Sequence, residues 1–79
     1  MAAVNQRDAF LHACFHAVDG NTEGREDLHL VGLSLGHDAH TSEALGAELA
    51  ADGLLTLHAP HAYQLTAKGR QHVLESLAP

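Results

Sequence analysis

Seventy-nine residues allow one small domain with a modest core, which leaves little stability in reserve. Ten acidic residues stand against four basic ones, and the resulting net charge of −6 opposes non-specific binding to phosphate backbones. The apolar fraction of 46% is led by Leu and Ala, with Phe10, Phe15 and Tyr63 the only aromatics, a composition that suits packed helices better than a β-sandwich and holds no run of the ~20 apolar residues a membrane span needs.

The first helix is expected from about Asn5 to Val18. Phe10, Leu11, Cys14, Ala17 and Val18 gather on one side of its wheel, and Asn5, Asp8, His12, His16 and Asp19 line the other. Arg7 and Asp8 interrupt the N-terminus before any apolar run develops, so no signal peptide is read and a soluble, cytoplasmic protein is expected. Cys14, the single cysteine, reads as a buried thiol. Gly20 is placed to end the helix, and Asn21 to Arg25 read as a loop. Leu28 to Leu35 is ambiguous, because Leu28, Leu30, Leu33 and Leu35 partly alternate as in a strand. The helical spacing of Leu28, Val31 and Leu35, a cap from Glu26 or Asp27 and a stop at Gly36 favour a short helix.

His37 to His40 then form a turn, and Thr41 or Ser42 is the expected cap of a third helix from about Ser42 to Asp52. Leu45 and Leu49 point inward on it, Ala44, Ala47, Ala50 and Ala51 permit close packing, and Gly53 ends it. After Gly53 the period changes. Leu54 to His58 and Ala62 to Leu65 read as two short strands around Pro60, with Leu55 and Leu57 facing the helices. Thr66 caps a last helix to about Leu77, with Val73, Leu74 and Leu77 toward the core. The expected fold is α+β and mostly α, a single domain over 1–79 of three helices, a two-stranded hairpin and a C-terminal helix.

Two segments carry a resemblance. Ala47-Glu48-Leu49-Ala50-Ala51-Asp52-Gly53-Leu54-Leu55 resembles a recognition helix running into its wing. Tyr63-Gln64-Leu65-Thr66-Ala67-Lys68-Gly69-Arg70 resembles the return strand of the wing and the next helix in MarR-like and PadR-like regulators. The likeness spans about 26–77 and implies a winged helix-turn-helix with a DNA-binding or transcription-regulatory role. It implies that helix three enters the major groove and that the wing touches the backbone or minor groove. Double-stranded DNA would then meet His40, Thr41 and Ser42 on the helix and its lead-in, His58 and His61 on the wing, and Lys68 and Arg70 beyond it. In these positions only Lys68 and Arg70 carry fixed positive charge, and a homodimer through the first and last helices, with Phe15 and Leu77, would double it.

The alternative is an acidic winged-helix protein–protein interaction module that does not bind DNA. Ala47 and Ala51 would pack on the partner while Glu43 and Glu48 meet its basic residues.

The eight histidines would turn the charge from −6 to +2 on full protonation, so the electrostatics depend on pH. His12 and His16 stand at i, i+4 with Asp8 a turn earlier, a spacing able to chelate Zn²⁺ or Ni²⁺, but no further ligand is evident. His61, His72 and Glu75 have a spacing reminiscent of ArsR-type metal sensors, yet Ala59 stands where the matching Asp would be. No metal site or cofactor is assigned. Catalysis is not expected either: Ser34, Ser42 and Ser76 lack a nucleophile context, and the adjacent Glu26 and Asp27 point apart.

Overall fold

The computed structural model describes residues 5–77. Its elements run α1 (Gln6–Ala17), β1 (Arg25–Asp27), α2 (Leu28–Ser34), α3 (Ala39–Ala51), β2 (Leu55–His58), β3 (Ala62–Leu65) and α4 (Ala67–Leu77). The fold is α+β and mostly helical, as expected, but it holds one strand more. β1 falls on residues read as the end of a loop and a helix cap. Arg25-Glu26-Asp27 has no apolar residue to alternate, and its strand conformation comes from pairing with β3, where Arg25 faces Gln64 and Asp27 faces Ala62. β2 pairs with the other edge of β3, Leu55 opposite Leu65, so the antiparallel order is β1-β3-β2.

Helix starts follow side-chain caps. Asn5 accepts the Arg7 N–H at 2.8 Å, and Asp27 accepts those of His29 and Leu30 at 2.8 and 3.4 Å. The start of α3 differs from the expectation by three residues. Asp38, not Thr41 or Ser42, is its cap, accepting the Thr41 N–H at 2.7 Å. Ser42 is instead fully buried, and its hydroxyl donates to the Asp38 carbonyl at 2.8 Å. It lies against Gly32 of α2 so closely that a Cβ on Gly32 would collide with its side chain. Thr66 caps α4 as expected, accepting the Gly69 N–H at 2.9 Å and donating to the Gly53 carbonyl at 2.7 Å.

The first three helices end alike, with paired backbone bonds back to the last turn. Gly36 and Gly53 take the left-handed position after α2 and α3, but after α1 Asp19 takes it at φ +52°, with Gly20 following.

The core gathers Phe10, Leu11 and Cys14 of α1, Leu28 and Val31 of α2, Leu45 and Leu49 of α3, and Leu54, Leu55, Tyr63, Leu65 and Val73. Several expected core positions lie outside it. Ala17, Leu35, Leu57 and Leu74 are exposed, Val18 is half-buried, and the side chain of Leu77 lies outside the described residues. Leu57 shares Leu55's side of β2 by alternation but lies toward the hairpin turn, where it borders a cleft with Leu28 and stays exposed. Gly69 lets α4 approach the chain at Leu54, whose carbonyl oxygen a Cβ would strike. Tyr63 is fully buried on β3 and donates its hydroxyl to the Cys14 carbonyl at 2.8 Å. That carbonyl belongs to the last turn of α1, where helix carbonyls need outside donors.

Two stability predictions follow from these contacts. Tyr63→Phe leaves the Cys14 carbonyl buried without its donor and should lower the unfolding free energy by about 1–2 kcal/mol in urea denaturation; an unmoved midpoint would show that the bond contributes nothing. The Asp38 carboxyl is held below the usual carboxylate range chiefly by the Thr41 N–H, with smaller help from His40 and His37. A lowered value stabilises the fold above the unfolded-state pKa of about 3.9, and that gain disappears as pH falls through the folded-state value. Asp38→Asn keeps an acceptor without the titration, so its Tm should fall less steeply than that of the parent chain below about pH 4. Parallel Tm profiles would refute this role for Asp38.

Candidate recognition surface and histidine cluster

α3 packs inward through Leu45, Gly46 and Leu49, and Leu28 of α2 sits over Gly46 so closely that a Cβ there would meet its methyls at 2.7 Å. The opposite side is exposed at His40, Glu43, Ala44, Ala47, Glu48 and Ala51, recurring at helical spacing. This face carries neither Lys nor Arg. Of the residues expected to meet DNA, Ser42 is buried and so withdrawn from the surface, and Thr41 is half-buried. His40 remains exposed in the first turn of α3, and Arg70 is exposed on α4.

Two basic residues are drawn to the C-terminal end of α3, beside Ala51. Arg7 pairs with the Asp52 carboxylate, and Lys68 donates to the Asp52 backbone carbonyl at 2.7 Å, so two of the four cations converge where α3 ends. Arg25 lies on the edge strand β1.

At the other end of α3 the histidines gather. The β1–β3 pairing sets the hairpin turn beside the start of α2, where the Leu28 N–H donates to the His61 carbonyl at 2.8 Å. His61 Nδ1 lies 3.1 Å from Asp27 Oδ1, the same oxygen that caps α2. The His29 ring stacks on that of His61, with centroids 4.2 Å apart and planes inclined by 21°. His29 Nε2 is buried without a hydrogen-bond partner, and Glu43 Oε1 stands 3.8 Å away. Partial desolvation works to raise the Asp27 pKa, but the two amide donors and His61 outweigh it and hold the carboxyl below its ordinary range. Beside the cluster a cleft of about 260 Å³ opens between Glu43 and the hairpin, bordered by Leu28, Leu57, His58, Pro60 and His61. His58 Nε2 is engaged with Gln64 Oε1 at 3.0 Å.

The histidine patterns visible in the sequence are dispersed by comparison. Asp8 lies 3.7 Å from His72, His12 meets the Ser76 hydroxyl at 2.8 Å, and His16 stands edge-on to Phe15. His61 and His72 therefore face different carboxylates. The sequence reading missed His29 and the second role of Asp27, because their meeting with His61 depends on β1, the strand without an apolar pattern.

Elsewhere, α2 exposes Leu33 at 68% and Leu30 at 58%, the latter beside a groove of about 470 Å³ against α1. On the expected dimer helices, Phe15 is half-buried with its ring against Gly20. No helix among the described residues is long and apolar enough to cross a membrane. The chain matches no known family model, curated protein or solved structure.

Burial pushes the Cys14 thiol up to about 12, against a smaller lowering from Tyr63, which leaves it protonated at neutral pH. Iodoacetamide should therefore label the native chain far more slowly than the urea-unfolded chain. Equal rates would show that Cys14 is accessible in the folded state.

Proposed function

We propose that this chain is a winged-helix recognition module whose third helix contacts a protein rather than DNA. Several features support the winged-helix reading. β1 lies between α1 and α2, a four-residue connection joins α2 to α3, a hairpin follows α3, and the sheet order is β1-β3-β2. The sequence likeness to MarR-like and PadR-like regulators points the same way.

The exposed face of α3 carries the protein-contact reading. In a DNA-binding winged helix this face enters the major groove, among phosphates. Here it presents Glu43 and Glu48, three alanines and one histidine. Glutamates beside phosphates repel, and a chain of net charge −6 adds to that repulsion at long range. The same face suits a protein carrying arginines or lysines around a small apolar contact. Ala44, Ala47 and Ala51 let such a surface approach closely while Glu43 and Glu48 pair with its cations.

Fluorescence anisotropy separates the two readings. Labelled random duplex DNA at low salt, at pH 6 and pH 7.5, should show no binding above a polyanion control. A labelled arginine-rich peptide should bind, shift backbone amide resonances along α3, and bind several-fold more weakly to the Glu43→Gln/Glu48→Gln variant. Duplex binding that weakens steeply with salt would install the DNA reading instead. Peptide-induced shifts lying away from α3 would also overturn the proposal.

A further inference from the structure

We propose that Asp27, His29 and His61, with Glu43 closing the set, bind one divalent cation of the zinc class. Asp27, His29 and His61 each offer one ligand atom, all within 4.8 Å of one another, and they form the one such group among the described residues. Two imidazoles with carboxylates suit Zn²⁺, Co²⁺ or Ni²⁺, whereas Mg²⁺ and Ca²⁺ favour all-oxygen shells.

Three ligand groups are gathered, and a fourth stands beside one of them. Tetrahedral zinc with bonds of 2.0–2.1 Å sets its ligand atoms about 3.3 Å apart. His61 Nδ1 and Asp27 Oδ1 are already 3.1 Å apart, and Glu43 Oε1 lies 3.8 Å from His29 Nε2. Asp27, His29 and His61 are half-buried and Glu43 is exposed, so their side chains are free to close on a cation from separations of up to 4.8 Å among the first three. Oδ1 of Asp27 also accepts the capping N–H of His29 at 2.8 Å, so a cation replaces the His61 contact at that oxygen while the His29 bond still holds the start of α2.

A second observation points to a ligand. His29 Nε2 is buried without a hydrogen-bond partner, although buried polar atoms are nearly always satisfied. A cation between His29 and Glu43 supplies what that nitrogen lacks. The backbone under the cluster is braced at both ends, by the pairing of Asp27 with Ala62 and by the Leu28 N–H on the His61 carbonyl. Bound metal would tie β1, the hairpin turn, α2 and α3 at one point. Asp27, His29 and His61 lie off the outer face of α3, and Glu43 alone is shared between that face and the cation.

The test is a zinc chloride titration by calorimetry at pH 7.5, on the full chain without an affinity tag and freed of metal by chelator. We expect one equivalent to bind at micromolar concentration or below. His29→Gln and His61→Gln should each weaken it by about tenfold or more, and Glu43→Gln by less. His12→Gln/His16→Gln, which alters the other histidine pair, should leave it unchanged. Cobalt in place of zinc should give the intense visible bands of four-coordinate Co²⁺. In the unmodified chain, zinc should move the imidazole resonances of His29 and His61 ahead of those of the other six histidines, a readout that requires no variant to fold. Absence of saturable binding, equal binding by the His29 and His61 variants, or loss in the His12/His16 control would each overturn the site.

Discussion

The bond from the Tyr63 hydroxyl to the Cys14 carbonyl is the constraint around which the molecule is arranged. Tyr63 is the largest fully buried side chain, and it sits on the middle strand of the sheet. Its ring fills a core otherwise made mostly of leucines and valines, and its hydroxyl meets an end carbonyl of α1 that would lack a donor. A slip of β3 by one residue would turn Tyr63 to solvent and bring Gln64 inward, so this contact specifies the register. With that register set, Asp27 faces Ala62 and the His61 carbonyl receives the Leu28 N–H. The histidine cluster is thus a consequence of how the tyrosine is held.

Charge is distributed so that the two ends of α3 differ. At its C-terminal end Arg7 and Lys68 converge on Asp52, placing cations where the helix dipole is negative. At its N-terminal end Asp38 caps the helix, where negative charge is favoured. Both placements stabilise the helix, and the first ties two of the four fixed cations to Asp52 at its C-terminal end. The acidic character of the outer face of α3 comes from Glu43 and Glu48, with neither Lys nor Arg on it.

Much of this architecture was legible in the residues. α1, α2, α4 and the hairpin follow from apolar spacing and from Asp27, Thr66, Gly36 and Gly53, whose effects are local. The start of α3 was not legible, because Asp38 and Ser42 are both able caps and only the close approach of Gly32 decides that Ser42 goes inside. β1 escaped because a short polar edge strand is defined by its neighbour. The exposed face of α3 could be read from periodicity alone. The metal-like cluster could not, since His29 and His61 lie 32 positions apart and meet only through a strand that has no pattern of its own.

The contact between Gly32 and Ser42 bears on how the chain can diverge. Core leucines can drift to isoleucine, valine or methionine one at a time, each exchange absorbed by its neighbours. At the crossing of α2 and α3 there is no such slack: any side chain at 32 displaces the one at 42. The two positions are therefore bound to change together, an added carbon on one helix answered by a lost one on the other. Distant kin that have replaced most of the apolar residues should still betray themselves by that coupled pair of small residues, ten positions apart.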